Sequence, residues 1–136
     1  MPKNDELATS FHSLRDYLDV IRAKGLVTDI LDVDWNIELG AITEVVSFSK
    51  KPGALLFDRI KGYSEGFRVA TNLYSSPRLQ AIALGLPDDV SPLEMVRRWR
   101  TISRDLKPIP PRIITDAPIQ ENIDRGDNVN LLKFGR

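Results

Sequence analysis

The stretch from Asp34 to Asn72, DWNIELGAITEVVSFSKKPGALLFDRIKGYSEGFRVATN, constrains the fold more than any other part of the chain. Ile37, Ala41, Val45 and Phe48 recur at helical spacing, widened by Ile42 and Val46, which predicts a helix with that stripe as its core face. Gly40 inside this helix costs about 1 kcal/mol against alanine, so it reads as a point where a neighbouring element packs closely. Lys50 and Lys51 suit the negative end of the helix dipole, and Pro52-Gly53 is a turn. Ala54–Ile60 opens with a continuous apolar run, the pattern of an interior strand. Gly62 to Gly66 turns the chain, and Phe67–Asn72 returns as the second arm of an antiparallel hairpin.

The flanking segments are organised around this unit. Residues 1–10 are polar and are expected to be a disordered tail. Ser13 then offers an N-cap, with Asp16 at the third helical position completing a capping box and Phe11 just upstream. Leu14, Tyr17, Leu18 and Ile21 form one apolar face of a helix over Leu14–Lys24, which Gly25 ends in the left-handed conformation. Leu26–Val33 predicts a strand with Val27, Leu31 and Val33 inward and Asp29 breaking the pattern. Asp34 and Asn36 are alternative caps for the next helix. Downstream, Ser76-Pro77 and Ser91-Pro92-Leu93-Glu94 are helix starts. The first helix carries Leu79, Ile82 and Ala83 and stops at Gly85-Leu86-Pro87. The second carries Met95, Trp99, Ile102 and Leu106 on one side and Arg97, Arg98, Arg100 and Arg104 on the other. From Lys107 the prolines 108, 110, 111 and 118 favour extended chain, with Ile113-Ile114 a candidate short strand. The chain stops at Arg136 just after turning apolar at Val129–Phe134, the expectation being that it is cut from a longer protein. The predicted architecture is α/β: a small mixed sheet of about three to four strands covered by about four helices.

Composition narrows the function classes. A length of 136 residues fits one domain. Nineteen Lys and Arg balance nineteen Asp and Glu, so no global field draws the chain to nucleic acid or an anionic membrane. With no cysteine, a disulfide scaffold, a thiolate metal site and a cysteine nucleophile are excluded. No secretory signal or membrane-length apolar run is visible, so a cytoplasmic protein is expected.

The residues that could carry chemistry have plainer readings. His12, the only histidine, precedes a cap and has no identifiable nucleophile beside it. Asp29, Asp32, Asp34, Glu38 and Glu44 could suggest an acid/base pair or a cation site. At a strand-to-helix corner, however, carboxylates serve as caps and complement the dipole. Lys61-Gly62-Tyr63 and Gly66 match no phosphate-loop spacing and join two strands. Arg97, Arg100, Arg104 and Lys107 could meet phosphates; a solvated face, or one that docks on an acidic neighbouring domain, is the alternative. Trp35 reads as a packing anchor. No catalytic, cofactor-binding or metal-ligating residue is assigned.

Several segments nevertheless occur in a known order. They include Phe11–Leu18, Lys24-Gly25-Leu26-Val27, Ile37–Thr43, Pro52–Phe57, Ile60–Tyr63, Ala70–Tyr74, Ala117–Asn122 and Val129–Leu132. From about Phe11 to Arg136 the chain resembles the N-terminal region of UbiD-type decarboxylases. The resemblance implies reversible, non-oxidative decarboxylation of aromatic or α,β-unsaturated carboxylic acids with prenylated FMN, whose phosphate is held by Mn²⁺ or Mg²⁺ and K⁺. A Glu–Arg–Glu network handles proton transfer in that family. Its fold has an N-terminal α/β domain, a flavin-binding split barrel and a C-terminal domain that mediates oligomerisation.

The family's metal-ligating Asn, His and Glu and its Glu–Arg–Glu network lie beyond the position of Arg136, so no position here inherits them. The resemblance thus implies an N-terminal α/β domain over 11–107. A proline-rich connector over 108–136 leads toward the flavin-binding barrel. The remainder of the decarboxylase is then the partner, within a parent homo-oligomer, and this chain alone is inactive. Two alternatives stay open: a nucleic-acid-binding module using the arginine helix, and a regulatory subunit that pairs with a separate catalytic chain.

Overall fold

The fold is described from a computed structural model over residues 11–131; the expected tail over 1–10 and the chain from Leu132 to Arg136 lie outside those residues. Ser13 caps the first helix, α1 (Leu14–Ala23), its hydroxyl accepting from the Asp16 amide. The Asp16 carboxylate reaches one residue further back than a capping box would, accepting from the His12 amide at 3.0 Å. That bond, with the Ser13 hydroxyl, holds the Asp16 carboxyl below its usual range. Gly25 follows at φ +69°, a conformation that favours glycine. It delivers the chain directly into β1 (Val27–Leu31).

The central helix, α2 (Glu38–Ser47), connects β1 to β2 (Ala54–Asp58), which lies parallel to β1. The chain then turns back into β3 (Val69–Thr71), antiparallel to β2. The sheet order β1-β2-β3 makes β2 the interior strand, as its unbroken apolar run predicts. Gly53 gives β2 a close entry beside β1: a Cβ there would sit a tight 3.3 Å from the Leu26 carbonyl oxygen, which accepts from the Ala54 amide.

Each face of the sheet has its own core. On one, Ala54 packs with Tyr17 and Ile21 of α1 and with Leu79 and Ile82 of α3 (Pro77–Ala83). On the other, Leu55 and Phe57 meet Val33 and Ile60 under Leu39, Ile42 and Val46 of α2. A satellite cluster of Ala81, Leu86 and Met95 seats α4 (Pro92–Asp105) against α3. Ser76 and Ser91 cap these two helices, accepting from the Leu79 and Glu94 amides.

Several expectations are corrected. The face of α2 that packs is Leu39, Ile42 and Val46; of the predicted stripe only the widening residues Ile42 and Val46 reach the sheet, while Ile37, Ala41, Val45 and Phe48 are exposed. Both stripes have helical period, and the parallel crossover, not the period, decides which one meets the sheet. Gly40 has no close neighbour, since a built Cβ meets nothing within 4 Å. In β1 the inward parity is mixed: Val27 packs toward α1, Ile30 toward α2, and Leu31 is exposed at the strand's end. In α4, Trp99 is partly exposed and Leu106 lies outside the packed stripe. Ile113-Ile114 forms no strand; this segment has only single 3₁₀ turns at Pro118–Gln120 and Gly126–Asn128.

Candidate functional site

In α/β folds ligands gather at the carboxyl ends of parallel strands, so the rim beyond Leu31 and Asp58 is the first place for chemistry. Neither residue that follows is glycine, yet Asp32 and Arg59 both take positive φ, +60° and +50°. Asp tolerates this conformation better than Arg. The two side chains close over the strand ends as an ion pair, Arg59 Nη2 to Asp32 Oδ2 at 2.6 Å. Both are more than half exposed, so the pair contributes little stability.

The remaining rim carboxylates are occupied with the start of α2. Asp34 Oδ1 accepts from the Asn36 and Ile37 amides in the turn before α2, so of the two candidates Asp34 is the one that satisfies amides there, while the N-cap position, Ile37, has no side-chain cap. Glu38 Oε2 accepts from the Asp34 amide at 2.6 Å and lies 3.6 Å from Lys61 Nζ. Asp29 faces the opposite side of the sheet, where the Arg22 guanidinium bonds both its oxygens. That contact holds the Asp29 carboxyl below its usual range and raises Arg22. Glu44 is exposed on α2. The acidic set is therefore split between caps and ion pairs and forms no acid/base dyad. Among the described residues no group of three or more His, Cys, Asp or Glu is placed to hold a metal ion.

The Lys61–Gly66 loop joins β2 to β3, with Gly62 and Gly66 at φ +84° and +93°. It has a consequence that the sequence did not suggest. By folding back it brings Tyr63 and Phe67 beside Trp35, Leu39, Ile60 and Val69, lining a groove of about 480 Å³ whose only charged side chain is Arg68. Trp35 meets Tyr63 edge to face at 6.4 Å. Trp35 is an anchor as expected, but an unfinished one, since it and Phe67 are both over two-fifths exposed. The alternation of Phe67 and Val69 leading into β3 was the available signal.

His12 lies on a second hollow of about 570 Å³, with Phe11, Tyr17, Tyr74, Leu84 and Trp99 among its lining residues. Ser13, the nearest hydroxyl in sequence, is already the α1 cap, so the histidine has no activated nucleophile at its side. Phe11 and Tyr17 meet edge to face at 5.2 Å. On α4, Arg98 is bonded to Glu94 one turn back at 3.0 Å. Arg97, Arg100 and Arg104 are exposed, and Lys107 lies beyond the helix end. What these surfaces offer, among the described residues, is apolar and ionic contact. No helix among the described residues is long and apolar enough to cross a membrane.

Comparison with known proteins accounts for a domain built this way. Residues 18–99 match the sequence model of the 3-octaprenyl-4-hydroxybenzoate carboxy-lyase N-terminal domain. The chain is 34% identical to pyrrole-2-carboxylic acid decarboxylase of Pseudomonas aeruginosa, over 88% of this chain and 25% of the relative. It is 32% identical to phenolic acid decarboxylase of Streptomyces sp. strain D7, over 90% of this chain and 26% of the relative. Among solved structures, vanillic acid decarboxylase of Sedimentibacter hydroxybenzoicus in its closed form superposes with a TM-score of 0.67 at 28% identity. The match covers 91% of this chain and 26% of that one. Its open form gives a TM-score of 0.65 at 27% identity over 79% and 23%. The chain spans about a quarter of the length of the curated relatives it matches.

Proposed function

Because the chain belongs to the UbiD decarboxylase family through its 3-octaprenyl-4-hydroxybenzoate carboxy-lyase N-terminal domain, we propose that it is the N-terminal structural domain of a reversible, non-oxidative decarboxylase. The substrates of that enzyme are aromatic or α,β-unsaturated carboxylic acids. The observation that carries this reading is the family match over residues 18–99, from within α1 to within α4. The relatives named above, decarboxylases of a pyrrole carboxylate and of phenolic acids, support the substrate class.

In this reading residues 11–107 are the domain proper, and 108–136 connect it to a flavin-binding barrel. Its work is to pack against that barrel and bound the active-site cleft of a homo-oligomeric parent. The family's prenylated FMN and its Mn²⁺ or Mg²⁺ and K⁺ would supply an electron sink and phosphate anchorage. The residues described here do not fit that group. The acidic side chains cap and pair, no three metal-ligating donors converge, and the glycine loop joins two strands instead of opening a helix. No catalytic step is therefore assigned to this chain. The other two readings, a nucleic-acid module and a regulatory subunit, have less support: the formal charge is zero and Arg98 is engaged with Glu94.

The test is direct. The purified 136-residue chain, mixed with prenylated FMN, Mn²⁺, K⁺ and a panel of cinnamic and hydroxybenzoic acids, is expected to release no CO₂ above the protein-free control. Turnover by the chain alone would overturn the reading.

A further inference from the structure

α2 is apolar on two opposite sides. Leu39, Ile42 and Val46 pack on the sheet. Roughly half a turn away, Ile37, Val45 and Phe48 are 71%, 71% and 85% exposed, with Ala41 exposed between them. A surface helix normally presents one apolar stripe, and one that is apolar on both sides is normally covered on both. Apolar exposure of this kind, in a continuous row, marks an interaction surface. Gly40 is not part of this row: it lies about 100° around the helix from Ala41, on the flank that carries Ser47.

We infer that this face is where the remaining three quarters of the full-length decarboxylase docks, with an apolar surface of that polypeptide lying along Ile37, Ala41, Val45 and Phe48. The inference rests on the N-terminal-domain reading proposed above. The length of the relatives points to this occupant. Each extends over about four times the span this chain matches, so a covering surface is available in the same polypeptide at high effective concentration. A second copy fits less well. Four side chains on one helix about 15 Å long fall far short of the roughly 1,200 Å² that a specific dimer buries. An anionic partner such as nucleic acid fits worse, since the charged side chain on this face is Glu44.

The experiment compares the 136-residue chain with the full-length P. aeruginosa relative in which this chain replaces the matching segment. In the isolated chain, Val45→Glu with Phe48→Glu is expected to leave the unfolding midpoint within about 2 °C. In the joined enzyme the same double variant is expected to lower decarboxylation at least tenfold and to lower the midpoint, an effect that a purely local role of the two side chains cannot produce. If the joined enzyme is active and indifferent to the double variant, the docking inference fails while the domain reading stands. If the joined enzyme is soluble but inactive, the domain reading fails and the inference with it. If the isolated chain dimerises in sedimentation equilibrium and Val45→Glu abolishes the dimer, a second copy is the occupant and the inference is overturned.

Discussion

Phe57→Ala is expected to lower the unfolding free energy of the domain by about 3–5 kcal/mol, read as a drop in urea midpoint with little change in slope. Phe57 has no exposed surface. It stands on the interior strand, across from Ile30 of β1 and Val69 of β3, and lies in the cluster with Val33, Leu55 and Ile60 beneath α2. Truncation leaves a cavity that neighbours on three elements border, and none can collapse into it without pulling the sheet from the helix. A small domain has about 5–15 kcal/mol in total, so the loss is a large share of its stability. A loss under 1 kcal/mol would mean that the α2 side of the sheet is not the well-packed core described here.

The second large effect is at high pH. Tyr17 is buried under α1, and its hydroxyl donates toward the Leu73 carbonyl at 2.8 Å and the Leu79 carbonyl at 3.2 Å. Burial, and secondarily the charge of Tyr74, pushes its ionisation up to about 12 from an ordinary 10. A raised folded-state value means that the folded chain holds a proton the unfolded chain releases. The stability is thus fully present below pH 10 and is lost as pH rises from about 10 to about 12. Two units correspond to about 2–3 kcal/mol over that window. Denaturant titrations between pH 9 and 12 should show this slope. Tyr17→Phe should remove most of it, while costing about 1 kcal/mol at neutral pH for the lost hydrogen bond. An unchanged slope in Tyr17→Phe would mean that another group is responsible.

Legibility in the sequence followed the range of the interactions. α1, α3 and α4 were readable because a serine cap and its partner amide lie within three residues of each other, and β2 because a run of four apolar residues has few uses except between two layers. The orientation of α2 was only partly readable, since Ile42 and Val46 were expected inward but Leu39 was not. Its two stripes are comparably apolar, and the choice between them is made by Leu55 and Phe57, whose side chains face Leu39, Ile42 and Val46 only once β2 has paired with β1. Ile113-Ile114 has strand-like residues but no free partner strand within reach, and β-branching alone does not make a strand. At the candidate site Asp34 and Glu38 were legible, since they act on amides close by, whereas Asp32, also expected to cap, pairs with Arg59. The Trp35–Phe67 groove was not, because its walls come from segments that meet only through the hairpin. Nor were the left-handed residues Asp32 and Arg59, where the expected marker, glycine, is missing.

The placement of β2 between an antiparallel and a parallel neighbour has a kinetic corollary. Its amides point alternately to β1 and to β3, so local fraying of either edge strand frees only half of them. Releasing the rest requires the other edge to open as well, which approaches opening of the whole domain. Hydrogen exchange should therefore rank the Leu55–Phe57 amides slowest, at rates near the global unfolding limit. The short β3 segment, bordered by solvent on its far side, should exchange through smaller openings.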